Sequence, residues 1–261
     1  MAHAVVLGSG TSNGVPMLGV DYPDSFLANP KNHRTRSSLV VCGPEGNVLI
    51  DCAPEMRLQL LREGIKRVEA VVVTHTHADH VMGMDDLRSF CLVQQMAMPV
   101  YTLPRYQDDI RRIFAYAFAE HADGIFVPRF DLRDVPPVLE LAGLRFETFT
   151  VWHGPWPVVA FRVNGMAYLT DVNHIPEFAE PFLYGLDTLV LDAVRIEPHP
   201  NHYHFEKAVE VALRFAAKKT YLTHLSGDYD HDAVNASLPS GIELAYDGLR
   251  IDLGDGVRGR P

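Results

Sequence analysis

An α/β sandwich, two β-sheets with helices on their outer faces, is the architecture this 261-residue sequence predicts. Two observations carry that reading. Short apolar, β-prone runs come in two series, and each series is followed by helical patterns, as expected when two sheets each carry their own helices. Four of the runs also close on a histidine or an aspartate: residues 68–74 lead into His75, 146–151 into His153, 166–169 into Asp171 and 219–223 into His224. The chain therefore delivers polar groups repeatedly to one rim of a sheet.

In chain order, residues 4–7 read as a strand that enters Gly8-Ser9-Gly10-Thr11-Ser12-Asn13-Gly14-Val15-Pro16. Its glycines permit tight turns and would leave backbone N–H groups as an anion cradle, although the lysine of a Walker loop is missing. Residues 17–36 read as irregular. Strands at 38–42 and 47–51 are joined by Gly43-Pro44-Glu45-Gly46, a hairpin link. Pro54 suits the start of a helix over 55–62, and Gly64 lies just beyond its end. After the buried strand at 68–74 come a helix at 83–90, a strand at 99–103 and a long amphipathic helix at 105–120. That helix carries Ile110, Ile113, Phe114, Ala117 and Phe118 on its core side. Residues 126–141, with Pro128, Pro136 and Pro137, read as a crossing over the rim of the fold. Strands resume at 146–151, 158–163 and 166–169, the last two joined by the turn Asn164-Gly165. A short helix at 176–182, a strand at 188–191 ending in Asp192, helices at 205–217 and 230–238 around the strand at 219–223, and a last hairpin around Asp247-Gly248 complete the chain. No repeat, low-complexity tract or linker interrupts it, so residues 1–261 read as one domain.

The densest chemistry lies in His75-Thr76-His77-Ala78-Asp79-His80. Each of these imidazoles and the carboxylate would need its own buried partner in a core, whereas a divalent metal takes neutral imidazole and carboxylate oxygen directly. In an extended or tightly turning loop His75 and His77 point one way, and Asp79 and His80 swing to a second position. One segment can thus serve two adjacent ions, but it fills only half of the ligand positions two ions need.

HxHxDH at a strand end resembles the metallo-β-lactamase superfamily, which implies a four-layer αββα sandwich and tells where the remaining ligands should lie. By that resemblance, His75, His77 and His153 hold one metal, Asp79, His80 and His224 the other, and Asp171 bridges them, giving two divalent ions per chain, zinc or manganese. Further stretches narrow the resemblance: the Gly-rich loop, residues 29–38, Leu191-Asp192-Ala193 before His199-Pro200-Asn201-His202, Leu222-Thr223-His224-Leu225-Ser226 and Tyr246-Asp247-Gly248. Together they look like the PhnP-type phosphodiesterases, relatives of ribonuclease Z associated with phosphonate metabolism and with opening cyclic phosphates. What this implies is a hydrolase of small or cyclic phosphodiesters, in which a water bridging the two ions attacks the phosphorus. A thioester or lactone hydrolase on the same fold is the alternative, and a non-catalytic metal-binding protein a third reading. Many PhnP-type members carry a cysteine cluster for a structural zinc after the first loop; Gly19-Val20-Asp21-Tyr22-Pro23-Asp24 contains none, so no structural zinc is expected here.

The catalytic set implied alongside the ligands is His202, Asp79 and Asp51. Opening a phosphodiester expels a poor leaving group unless it is protonated, so a histidine beside the metals but outside the ligand set serves as general acid. His202 matches the family position; His199 and His204 are alternatives, His204 also reading as a helix cap. Asp51 closes a strand, where it can cap the following helix, support a metal ligand by hydrogen bonding, or both.

Composition sets the limits. A formal net charge of −10 disfavours a large nucleic-acid surface. The one basic cluster, Lys31-Asn32-His33-Arg34-Thr35-Arg36, reads as a solvated loop or as an anion contact near the site. Cys42, Cys52 and Cys91 are widely spaced buried thiols rather than a disulfide framework. With no apolar stretch near the roughly 18 to 20 residues a bilayer requires and no signal-peptide pattern, the expectation is a cytoplasmic protein acting on a small-molecule phosphodiester, with a homodimer compatible with the sequence.

Overall fold

The computed structural model describes residues 2–122 and 125–254. Among these, the first sheet is built from β1 (His3–Gly8), β2 (Ser38–Gly43), β3 (Gly46–Ile50), β4 (Ala70–Val72), β5 (Met98–Thr102) and β6 (Phe130–Asp134). The second holds β7 (Val138–Leu141), β8 (Leu144–His153), β9 (Trp156–Val163), β10 (Met166–Leu169), β11 (Thr188–Asp192), β12 (Lys219–Thr223) and β13 (Ile242–Leu244). The last strand, β14 (Arg250–Asp252), returns to the first sheet beside β1. The orders are β14-β1-β2-β3-β4-β5-β6 and β13-β12-β11-β10-β9-β8-β7. In each sheet a block of antiparallel pairs passes into a block of parallel ones, at β3/β4 and at β10/β11. The helices are α1 (Asp24–Leu27), α2 (Met56–Arg62), α3 (Ala78–Val81), α4 (Arg88–Val93), α5 (Pro104–Ile113), α6 (Phe205–Phe215) and α7 (His231–Asn235).

Strand alternation produces the layers. On β1, Ala4 and Val6 face the second sheet while Val5 and Leu7 face the helices; on β2, Leu39 and Val41 do the former and Val40 and Cys42 the latter. The sheet-to-sheet core gathers Ile50, Phe146, Phe161, Tyr168 and Val190. A second core lies between the first sheet and α2, α4 and α5 through Met56, Leu60, Cys91 and Ile110, and a third between the second sheet and α6 through Ala208, Val211, Ala212 and Phe215. Three apolar seams separate four layers, the αββα sandwich. No helix among the described residues is long and apolar enough to cross a membrane.

Several local expectations differ from what forms. The helix expected over 105–120 ends at Ile113: Phe114 leaves helical backbone (φ −108, ψ 39) and packs on Phe130 of β6 at 5.8 Å, so Phe118 on the following 3₁₀ turn is exposed rather than in the core. The proposed rim crossing at 126–141 instead contains β6 and β7, an edge strand of each sheet; the prolines bound these strands rather than exclude them. The last hairpin does not form. β13 pairs with β12 and β14 with β1, because half-buried Asp247 between them accepts from Ser9 N (2.9 Å), Thr35 N (2.9 Å) and Thr35 Oγ1 (2.5 Å), which draws the chain across from one sheet to the other.

The glycine-rich loop is not an anion cradle. The N–H groups of Gly10, Thr11, Gly14 and Val15 donate to Thr35 O, Leu225 O, Thr11 O and Arg34 O, so the loop splices the two sheets together. Two of the cations in the basic cluster are engaged within the fold, and the third, Lys31, is exposed. Arg34 is buried and donates to Tyr229 O (2.8 Å), Arg36 pairs with Glu55, and Lys31 lies 4.8 Å over the Tyr246 ring.

Candidate metal centre

The site forms where the polar ends of both sheets meet. From the first sheet, β4 runs into Val73 and Thr74; His75 to His77 stay extended (His77 φ −65, ψ 151), and α3 starts at Ala78. Asp79 and His80 thus sit on a helical turn, not on the loop the sequence suggested, and the change of backbone is what aims them away from His75 and His77. The second sheet supplies His153 at the end of β8, Asp171 just past β10 and His224 just past β12. A hydrogen bond from Val159 N on β9 to Thr74 O (3.0 Å) fixes the two contributions to each other. Three of the strand-end residues, Asp51 (φ 61), Asp171 (φ 52) and His224 (φ 62), adopt left-handed backbone, which turns each side chain back over its sheet.

Four overlapping groups of potential ligand atoms result among the described residues, the atoms of each lying within 4.8 Å of one another; two include His202, with His153 and Asp171 or with Asp192 and His224, and the other two are His75/His77/His153 and Asp79/His80/Asp171/His224. Asp171 stands between them: Oδ1 is 3.9 Å from His75 Nε2 and 3.5 Å from His224 Nε2, and Oδ2 is 3.2 Å from His80 Nε2. Asp79 Oδ2 lies 3.2 Å from His80 Nε2 and 3.6 Å from His224 Nε2. All seven sequence-predicted ligand residues therefore converge. Behind them, Asp51 accepts from Thr74 N (2.7 Å), Thr74 Oγ1 (2.8 Å) and His80 Nδ1 (2.7 Å), while Asn201 O engages His153 Nδ1 (2.7 Å). Asp51 makes no capping bond to α2, so of its two sequence-level roles the structure shows the support of His80.

Electrostatics divides the groups. Burial lowers the pKa of His75, His77 and His153, keeping them in the neutral form that can ligate a cation. Around His80 and His224 burial acts the same way but is outweighed by Asp171 and its neighbouring carboxylates, so His80 is raised well above the usual range and His224 to about 10. Asp79 and Asp171 are held below the usual carboxylate range by these imidazoles, against burial. The two imidazoles thus offset the buried carboxylates, a role that a bound divalent cation would take over. Asp79 Oδ2, His80 Nε2 and His224 Nε2 are also buried without a hydrogen-bond partner, a costly state for polar atoms unless something ligates them. The donor set fits divalent metal ions.

His202 lies at the edge of the cluster, its ring 4.2 Å from that of His153 and 4.9 Å from that of His224, and its Nδ1 2.9 Å from Asp192 Oδ2. The alternatives are placed differently: His199 is one ring further out, 4.9 Å from His202, and His204 occupies the N-cap position of α6 without making a side-chain capping bond. Asp192 has no role among the sequence-based expectations. Its carboxylate is buried, accepts from Val172 N (3.0 Å) and stands 3.3 Å from His224 Nδ1, so it touches both His202 and a candidate ligand. The signal was present, since Asp192 closes a buried strand just as Asp51 and Asp171 follow theirs.

Known proteins agree with this geometry. A family model described as the β-lactamase superfamily domain matches residues 46–225. An octanoyltransferase of Porphyromonas gingivalis is 33% identical over 98% of this chain and 53% of its own length, and a ribonuclease Z of Bradyrhizobium diazoefficiens is 29% identical over 52% of this chain and 46% of its own. The chain thus spans about half the length of the octanoyltransferase. Among solved structures, a diphosphatase of the PhnP family superposes with a TM-score of 0.88 at 39% identity, covering 97% of this chain and 98% of that one. The short form of human tRNase Z shares the fold at a TM-score of 0.68 and 19% identity, over 96% and 99% of the two chains. With the superfamily model matched over more than half its length and a PhnP-family structure alike from end to end, the chain belongs to the metallo-β-lactamase superfamily, on its PhnP-like branch.

Proposed function

We propose that the chain is a metal-dependent hydrolase that cleaves small or cyclic phosphodiesters. The observation that carries this reading is the convergence of seven donor residues into two groups about one shared carboxylate, with partnerless buried atoms facing inward. His75, His77 and His153 would hold one divalent ion, zinc or manganese, Asp79, His80 and His224 the second, and Asp171 both. When bound, such ions supply a water of lowered pKa and Lewis acidity toward the phosphoryl oxygens.

The chain's own groups supply the rest. Asp51 and Asn201 O fix the rings of His80 and His153 with Nε2 facing inward. Asp192 holds His202 Nδ1, leaving Nε2 to give its proton to the departing oxygen as the P–O bond to it breaks and the bond to the attacking water's oxygen forms. Buried walls around His75, His80, Asp171 and His224 exclude bulk water.

The similarity to a diphosphatase and to ribonuclease Z supports phosphoryl chemistry. Similarity over nearly the whole chain to a protein named for moving an octanoyl group favours one second reading, hydrolysis of a thioester or lactone. Metal analysis of purified protein should give about two divalent ions per chain, and exhaustive chelation should abolish cleavage of bis(4-nitrophenyl) phosphate and of 2′,3′-cyclic nucleotides, with metal restoring it. Full activity after chelation would refute the metal mechanism. Inertness toward both diesters together with turnover of an octanoyl thioester or a lactone would establish the second reading.

A further inference from the structure

Beside the His75/His77/His153 group a cavity of about 280 Å³ opens between the metal loop, α5 and the β8–β9 turn. Its walls are tied in place. Thr76 Oγ1, on the metal loop, donates to Asp109 Oδ2 of α5 (2.9 Å), and Tyr106 Oη of α5 donates to Pro157 O (2.5 Å), next to Trp156. The cavity is therefore preformed rather than assembled on binding, which lowers the cost of ordering a ligand in it.

Its chemistry is specific. Trp156, paired with His153 across the hairpin end, brings its ring 5.2 Å from His77 and 5.8 Å from His153 and remains 37% exposed, so an apolar π surface faces the space next to the cluster. Arg105 and Arg112 of α5 line the same cavity. Both Asp109 oxygens are already engaged, Oδ1 by Arg112 (2.7 Å) and Oδ2 by Thr76. Arg105 has no carboxylate partner among the described residues; its guanidinium only lies 5.4 Å over the ring of adjacent Tyr106. An uncompensated arginine at the mouth of a cavity, in a chain of net charge −10, is placed to receive an anion. The volume sits near the small end of ligand pockets, roughly 300 Å³, which fits one ring and one charged group rather than a polymer.

The geometry points to this cavity as the subsite for the non-scissile part of the substrate, a phosphorylated nucleoside whose ring stacks on Trp156 and whose second phosphate meets Arg105. The assignment rests on the phosphodiesterase reading and narrows its substrate class: diesters with an added terminal phosphate are the better substrates. Stacking on an exposed indole tolerates any base, so Arg105 sets the requirement for a second charge and Trp156 the requirement for a ring.

The test uses thymidine 5′-(4-nitrophenyl phosphate) and the same compound phosphorylated at the 3′ oxygen, identical at the scissile bond. The metal-loaded protein should prefer the second by about 10- to 100-fold in kcat/KM, mostly through KM, as expected of one charge-assisted contact. In R105A that ratio should fall toward one, and R105K should retain part of it. W156A should raise KM for both thymidine substrates against methyl 4-nitrophenyl phosphate, with W156F in between. A ratio near one in the unaltered protein, or an undiminished ratio in R105A, would overturn the assignment. Binding of thymidine 3′,5′-bisphosphate, followed by tryptophan fluorescence, separates the two ideas. If no diester is cleaved, the phosphodiesterase reading fails, yet bisphosphate bound about 10-fold more weakly by R105A still supports the subsite, and equal binding refutes it.

Discussion

Replacing Asp51 by asparagine should weaken one metal position and spare the other. The change is isosteric, and asparagine tolerates the left-handed backbone (φ 61) found there. The introduced amide could keep the bond from Thr74 N through its carbonyl oxygen, but its NH₂ would point at His80 Nδ1, which now donates to Asp51 Oδ2 at 2.7 Å. Two donors cannot face each other, so the neutral imidazole would move its proton to Nε2. That is the atom 3.2 Å from both Asp79 and Asp171, the one needed to ligate a cation. Losing a hydrogen bond to a charged group costs roughly 1.5 to 3 kcal/mol, about 10- to 150-fold in affinity, in line with the roughly 10- to 100-fold typical of residues that orient metal ligands. The assay is a titration of chelator-stripped protein with zinc against a chromophoric chelator at pH 7. One binding step should weaken by that factor, and the step served by His75, His77 and His153 should stay within about threefold. Two unchanged steps, or two equally weakened ones, would refute the tautomer argument.

Three other outcomes are expected. H202A should retain about two metal ions per chain and lose about 10²- to 10⁴-fold on an alkyl phosphodiester but far less on a nitrophenyl diester, whose leaving group needs little protonation; equal losses on both would assign His202 to phosphate binding instead. G83A should destabilise the fold by about 2 kcal/mol or more and lower metal content, because a Cβ there would lie 2.0 Å from the Ala53 carbonyl oxygen, beside Cys52, whose N–H donates to His80 O at 2.7 Å; an unchanged urea midpoint would contradict this. His231, buried near Arg34 and Lys31, has its pKa lowered to about 4, by burial first and then by those two cations. Its folded pKa lies below the unfolded value, so the unfolded chain binds the extra proton and stability falls as pH drops from about 6.5 toward 4, by up to about 2 kcal/mol at pH 5. Urea unfolding of H231Q at pH 5 and 7.5 should show a shallower pH dependence than the unaltered chain, and an identical slope would exclude His231 as a source.

Most strands and the convergence of the strand-end donors were legible because both rest on local signals. Continuous apolar runs such as those of β1 and β2 and a histidine or aspartate just past a β-prone run can be read without knowing what packs where. What could not be read depends on distant partners. The helix expected over 105–120 has sound periodicity, yet Phe114 leaves it to pack on Phe130, which comes from another element. Asn-Gly and Asp-Gly look alike as hairpin signals; Asn164-Gly165 turns β9 into β10, whereas Asp247 is captured by Ser9 and Thr35, more than 200 positions away, and the expected hairpin splits between sheets. Glycines 10 and 14 promised free N–H groups, but Gly10 donates to Thr35 O, in a segment the loop itself does not reveal, and Gly14 to Thr11 O within the loop. Asp192 shares its strand-end signal with Asp51 and Asp171, and only the rings of His202 and His224 on either side of it show what it serves.

The left-handed backbone at Asp51, Asp171 and His224 bears on how such a protein can change over time. Aspartate, histidine and asparagine tolerate that conformation better than other side chains, and glycine adopts it without penalty. Replacing Asp171 or His224 by asparagine or glycine thus deletes a ligand without adding backbone strain. The scaffold can shed its chemistry by single steps without collapsing, and non-enzymatic descendants are an accessible outcome: a D171N or H224N lineage would keep a folded sandwich free to acquire a different ligand at the same rim.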